Sequence, residues 1–154
     1  MKDSFGILGT LKIQKFEDKK IIEEYEYKNL ITNVGLDYLL KLIGGDITTG
    51  GINKMALGDS NVAASKTNTS LGNKILLLDV TKDYTIPGRI NFMTNIKENT
   101  FSTIVNYKEA GLVHRTANSE ILVTRLVFSD VVYQKPENSL SLLYSLELQV
   151  WWYE

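Results

Sequence analysis

From Leu140 to Tyr153 the chain reads Leu-Ser-Leu-Leu-Tyr-Ser-Leu-Glu-Leu-Gln-Val-Trp-Trp-Tyr. Leu140, Leu142, Tyr144, Leu146, Leu148, Val150 and Trp152 occupy alternate positions, and the residues between them are mostly polar. Successive side chains of a strand point to opposite faces, so this pattern makes one continuous apolar face and one largely polar one. Wound as a helix, the same residues would scatter and leave no stripe. The stretch therefore predicts a long strand near the middle of a sheet, with the rest of the chain packed against it.

Shorter segments repeat the theme. Phe5 to Phe16 and Ile21 to Tyr27 read as a hairpin turning at Glu17-Asp18-Lys19-Lys20, with Glu23, Glu24 and Glu26 on a solvated edge. Ile52 to Leu57, Ile75 to Tyr84, Arg89 to Ile96, Thr100 to Tyr107 and Glu120 to Phe128 read as further strands, the last apolar on both faces and so central. Pro87-Gly88, Lys97-Glu98-Asn99 and Lys135-Pro136-Glu137-Asn138 are turns. Turns at intervals of roughly ten residues predict an antiparallel β-sandwich, or a partly open barrel. One helix interrupts the strands: Thr32 or Asn33 caps it, Leu36, Leu39, Leu40 and Ile43 fall at i, i+3, i+4 and i+7, and Gly44-Gly45 ends it. So short a helix is unstable alone in water, so its leucine face is expected to lie on the sheet. The fold class is mainly β with one short packed helix, in a single domain over residues 1–154.

Composition narrows the function. The chain has 154 residues, a net charge of −1 and no cysteine. A near-neutral balance argues against a nucleic-acid partner. Without cysteine there are no disulfides, thiolate chemistry or cysteine-ligated metals. The first residues show no signal peptide, and the longest apolar run, Ile75 to Leu78, is far below the ~20 residues of a membrane helix. No membrane contact is expected, and synthesis is expected in the cytoplasm.

Catalytic constellations do not assemble on paper. His114 is the sole histidine and sits in a polar stretch, where a solvated surface residue is expected. No nucleophile elbow marks a serine, and Gly44-Gly45 and Gly50-Gly51 are not followed by the Lys-Ser or Lys-Thr of a phosphate loop. The acidic residues are dispersed, so neither a metal nor a cofactor is expected. Glu109 is expected to bond a backbone turn or to pair with Arg125 on a neighbouring strand. No enzyme is expected.

Two features point instead to contacts between proteins. Residues 58 to 73 are rich in Asp, Ser, Asn, Ala, Thr and Gly. A loop of that length inside a compact domain is uncommon unless it binds or wraps something. Asp59-Ser60-Asn61 resembles the start of a calcium loop but lacks its glycine and terminal glutamate, and is read as a turn. Trp151, Trp152 and Tyr153 crowd three aromatics into one strand end, so at least one points away from the core, either to meet a partner or to be covered by a second layer of the same chain such as the helix. Such residues are enriched at protein interfaces. Asp59, Ser60, Asn61, Trp151, Trp152 and Tyr153 are thus the candidate interface residues.

Three stretches in order then carry a family resemblance: Lys28-Asn29-Leu30-Ile31-Thr32-Asn33-Val34-Gly35-Leu36; Ile52-Asn53-Lys54-Met55-Ala56-Leu57-Gly58-Asp59-Ser60 with the polar loop and Ser70-Leu71-Gly72-Asn73-Lys74-Ile75; and Tyr107-Lys108-Glu109-Ala110-Gly111-Leu112 followed by Leu122-Val123-Thr124-Arg125-Leu126-Val127-Phe128 and a final alternating strand. This order resembles "NLITNxG", "ALGxG…LxNEI", "EAGL" and "ARxxF" in small tail, tail-fibre or baseplate proteins of tailed bacteriophages and phage-tail-like bacteriocins. Two positions depart from that pattern: Asp59 replaces a small residue, and Lys74 replaces glutamate. The resemblance implies a structural virion subunit that assembles with itself and with other virion proteins at the tail, baseplate or fibre attachment. Its alternatives are a capsid-decoration or collar protein of the same particle, or a carbohydrate-binding host-recognition module.

Overall fold

The computed structural model describes residues 2–48 and 50–153, with side chains for 6–48 and 50–149. In chain order the elements are β1 (Lys2–Glu17), β2 (Lys20–Lys28), β3 (Leu30–Ile31), α1 (Asn33–Gly44), β4 (Lys54–Gly58) and β5 (Lys74–Asp79). They continue with β6 (Thr81–Asp83), β7 (Arg89–Ile96), β8 (Val105–Arg115), β9 (Glu120–Leu122), β10 (Thr124–Gln134) and β11 (Ser139–Tyr153). Two antiparallel sheets pack face to face. The first has the order β2-β1-β11-β7-β6, and the second β3-β10-β8-β4-β5 with β9 added to β8.

The alternating stretch from Leu140 to Tyr153 is β11, and it lies in the middle of the first sheet. It pairs with β1 from Phe16↔Ser139 to Lys2↔Tyr153, and on its other edge with β7 from Leu140↔Ile96 to Glu147↔Arg89. Leu140, Leu142, Tyr144 and Leu146 are buried as the alternation requires, whereas Leu148, in the same phase, is exposed. They meet Leu11 and Ile13 of β1, Phe92 and Ile96 of β7, and Met55, Leu57, Tyr107, Leu112, Leu126 and Val132 of the second sheet in one core. Glu23, Glu24 and Glu26 are exposed on the edge strand β2, which keeps that edge from pairing with another chain.

Two strand runs change sheet. Leu30 and Ile31 follow β2 after a single residue and pair with Arg125 and Thr124 of the second sheet. On the opposite side, the expected strand from Ile75 to Tyr84 divides at Val80 into β5, which pairs with β4, and β6, which pairs with β7. The expected strand from Glu120 to Phe128 likewise divides at Val123 into β9 and β10. The strand placed at Thr100 to Tyr107 begins only at Val105 and continues through Glu109 and His114 to Arg115. Glu109-Ala110-Gly111-Leu112 is therefore part of β8, in the interior of the second sheet.

The helix lies where expected but is turned on its axis. Thr32 caps it by accepting the Gly35 N–H, and Gly45 ends it with φ +81°. The buried side is Gly35 and Tyr38, with Leu39 and Leu42 packed on the core. Leu36 is exposed, Leu40 is 67% exposed and Ile43 82%. The expectation that Leu36, Leu40 and Ile43 face the sheet is thus corrected. The buried set 35, 38, 39, 42 has the same spacing shifted by one residue, a rotation of about 100°. The reason is local. A Cβ at Gly35 would stand 2.0 Å from the Val123 carbonyl oxygen, so only glycine lets the helix approach that closely. That approach carries the Tyr38 hydroxyl to His114.

Candidate functional site

The loop from 59 to 73 covers the outer face of the second sheet, and two buried charges hold it there. Glu109 on β8 and Arg125 on β10 are both shut off from solvent, with side chains 0% and 2% exposed and a guanidinium nitrogen 3.2 Å from the carboxylate. Neither is left unsatisfied. Glu109 Oε2 accepts the backbone N–H groups of Ser60 (2.9 Å) and Asn73 (2.8 Å), and Oε1 accepts the backbone N–H of Gly72 (2.7 Å) and the side-chain Nε–H of Arg125 (3.2 Å). The guanidinium donates onward to the Val62 carbonyl (2.9 Å), the Ala63 carbonyl (3.3 Å) and Asn68 Oδ1 (3.0 Å). The carboxylate grips both ends of the loop, and the guanidinium grips its middle.

The glycines flanking the loop follow from this geometry. A Cβ on Gly58 would stand 2.3 Å from the Asn73 carbonyl oxygen and 2.5 Å from Glu109 Oε2. One on Gly72 would stand 2.3 Å from Ser60 Oγ. Backbone must come against the carboxylate at both places, and any side chain would displace it. The Asn73 side chain donates 2.6 Å to Asp59 Oδ1, and the Asp59 N–H bonds the Asn73 carbonyl, so the two ends of the loop are also tied to each other. Leu71 is the loop's apolar plug, buried with Ala56, Val113 and Leu122. The Asn33 N–H bonds the Lys66 carbonyl at 2.7 Å, which ties the loop to the start of α1.

A second polar junction joins α1 to the sheet. His114 was expected on the surface; it is buried at the end of β8, 3% exposed. Its Nδ1 lies 2.6 Å from the Gly51 carbonyl oxygen and 3.0 Å from the Tyr38 hydroxyl. A carbonyl oxygen only accepts, so Nδ1 carries the proton. Burial pushes the Tyr38 hydroxyl up to about 12. Thr32 completes this region: its hydroxyl donates to the Leu122 and Val123 carbonyls at 2.7 and 3.2 Å, while its oxygen accepts the Gly35 N–H. Deeper in the core, the Thr124 and Tyr144 hydroxyls meet at 2.8 Å.

The expected pairing of Glu109 with Arg125, and its bonds to a backbone turn, are both present. Of the candidate interface residues, Asp59 and Ser60 are half-buried and committed to the loop's own hydrogen bonds, whereas Asn61 is exposed. Trp151, Trp152 and Tyr153 extend β11 opposite Ser4, Asp3 and Lys2; their side chains lie outside the described residues. Sequence reasoning missed the Tyr38–His114–Gly51 junction, because Tyr38 sits one position off the leucine stripe that drew attention. The Arg125 guanidinium is engaged by Glu109, by the Val62 and Ala63 carbonyls and by Asn68, so the pair acts as a clamp on the loop. Among the described residues no three His, Asp or Glu side chains stand together as a metal site, and no helix is long and apolar enough to cross a membrane. A shallow groove of about 570 Å³ on the outside of the first sheet is lined by Lys12, Gln14, Glu24, Glu26 and Leu143, more polar than most small-molecule sites. Comparison with protein-family models, with curated proteins and with solved structures finds no match to this chain.

Proposed function

We propose that the chain is a structural subunit of a bacteriophage or phage-tail-like particle. It assembles with copies of itself and with neighbouring proteins at the tail, baseplate or fibre attachment, and it has no catalytic role. One observation supports this reading most. The three stretches that carry the family resemblance are far apart in sequence yet meet in one framework. Thr32 and Gly35 of the first stretch dock on Leu122 and Val123, beside β10. Gly58, Ser60, Gly72 and Asn73 of the second wrap the carboxylate of Glu109 from the third, and Arg125 ties the centre of the loop to it. The resembling residues thus specify a helix and a loop held rigidly on one face of a sandwich, which suits a building block that presents a fixed surface. Stable subunit contacts bury on the order of 800 Å² per partner.

The test is location. Antibodies against the purified protein are applied to particles from a lysate of the source strain and viewed by electron microscopy. Label at the tail, baseplate or fibre attachment is the expected result. Label on heads or collars transfers the protein to capsid decoration or the collar. A protein that is strictly monomeric by light scattering and labels no particle refutes the reading.

A further inference from the structure

Four strands lie outermost in the two sheets, and three of them are charged or very short, although β1 before Thr10 and β10 after Arg125 also extend beyond their outer neighbours. On β2 the edge carries Glu23, Glu24 and Glu26; β3 has two residues and β6 three. The fourth edge, β5, is six residues long, Lys-Ile-Leu-Leu-Leu-Asp, and none of its four central residues is polar. Its inner side pairs with β4, and among the described residues no backbone group bonds its outer side. A long apolar edge of this kind is a template for another strand.

We propose that β5 is a self-association edge that pairs antiparallel with β5 of a second copy, joining two second sheets into one across a two-fold axis. The choice of a second copy rests on the strand's own symmetry. Leu76 and Leu78 face the main core, and Leu77 faces the outer cluster with Ala56 and Val113. A two-fold axis at Leu77 sets Leu77 against Leu77 and Leu76 against Leu78 of the partner, each pair on one face as an antiparallel ladder requires. Ile75 then stands opposite the partner's Asp79, with Lys74 beside it. A bulge between Leu57 and Gly58 gives β4 one residue against Lys74 and Ile75, so it falls at the Lys74 end and leaves Leu76 to Asp79 in regular register. Lys74 and Asp79 are both exposed, Asp79 88% at its side chain, and each strand brings one positive and one negative end to its partner's opposite end. Their present partners, Glu120 for Lys74 and Lys54 for Asp79, are surface bridges that yield readily.

This deepens the reading of the chain as a self-assembling subunit, and a charge-swap series in the purified protein tests it separately from particle labelling. The wild type is expected to be dimeric by sedimentation at about 100 μM, well above the affinity a useful subunit contact requires. Asp79→Lys sets lysine against lysine at both ends and is expected to weaken the dimer roughly tenfold or more. The double variant Lys74→Asp with Asp79→Lys restores opposite charges and recovers the dimer, although the bridges to Lys54 and to Glu120 are then both broken. Amide exchange of Leu76 to Asp79 slows as concentration rises, which places the contact. A wild type that is monomeric throughout, a dimer indifferent to Asp79→Lys, or a double variant no better than the single one overturns the proposal. A β5-dependent dimer that labels no particle refutes the particle reading alone.

Discussion

Replacing Glu109 by glutamine changes one oxygen to an amide nitrogen and leaves volume almost constant, so its effect isolates the charge. Oε1 accepts from Gly72 and Arg125, and Oε2 from Ser60 and Asn73. A carboxamide has one acceptor oxygen. Whichever way it turns, its NH2 faces two N–H donors that then have no acceptor, and the Arg125 guanidinium loses its counter-charge in a site sealed from water. Hydrogen bonds to charged groups contribute about 1.5–3 kcal/mol each, so two lost bonds set a scale of about 3–6 kcal/mol. Breaking buried ion pairs by removing one partner costs about 3–5 kcal/mol, which agrees. We expect Glu109→Gln to lower the unfolding free energy by about 3–5 kcal/mol in a urea titration followed by circular dichroism. In parallel, trypsin should cut at Lys66, whose loop is released first. Adding Arg125→Met removes the stranded cation and lets the amide oxygen turn to Ser60 and Asn73, which should recover part of the loss but not all of it, because the Gly72 N–H remains without an acceptor. A loss below about 1 kcal/mol, with Lys66 still resistant, would refute the view that this pair holds the loop.

Three further outcomes follow from the geometry. Gly35→Ala drives a methyl into the Val123 carbonyl and should destabilise by about 2–3 kcal/mol in the same titration, with loss of the α1 contact; a neutral result would mean that the helix stands off the sheet. Leu40→Ala, costly if Leu40 were core, should change stability by less than about 0.5 kcal/mol because that side chain is largely in solvent. Burial, helped at Tyr27 by the charge of Asp130, holds Tyr27 and Tyr38 up to about 12, and Tyr107 and Tyr144 are raised too. A raised tyrosine favours the folded, protonated state fully below the unfolded value near 10, and that advantage is lost as pH climbs through the folded value. Stability should therefore fall between about pH 10 and 12, with phenolate absorbance rising together with unfolding; a gradual titration of all tyrosines in a folded protein would contradict it.

Much of the fold was legible because period-two patterning is a local property. β11 showed itself in full, and so did the hairpin, the helix caps and the turn at Lys135–Asn138. What misled were places where a distant contact decides. The leucines of α1 offered a convincing stripe, yet the helix buries Tyr38, because Gly35 admits the Val123 carbonyl and His114 waits below; the two partners that give Gly35 its meaning lie outside residues 33 to 44. Val80 lies within the stretch from Ile75 to Tyr84 that reads as one strand, and only the presence of β7 in the other sheet determines that the chain changes partners there. Glu109 and Arg125 could be paired from sequence as residues of neighbouring strands. That the pair would hold a fifteen-residue loop (59 to 73) by its backbone was not readable, because backbone donors leave no mark in a sequence.

The pairing of β1 with β11 joins residues separated by most of the chain, from Phe16↔Ser139 to Lys2↔Tyr153. Along the chain, β1 and β2 come early, but the strand that must sit between β1 and β7 is made after β1 to β10. Until then the first sheet exists as two halves with a gap between them, while β4, β8 and β10 are already available to fold. Contacts this remote slow folding, and the open flank of β1 is exposed throughout synthesis. Producing this protein in soluble form should accordingly depend more on slow, cool expression or on a holding chaperone than on the stability of the finished molecule.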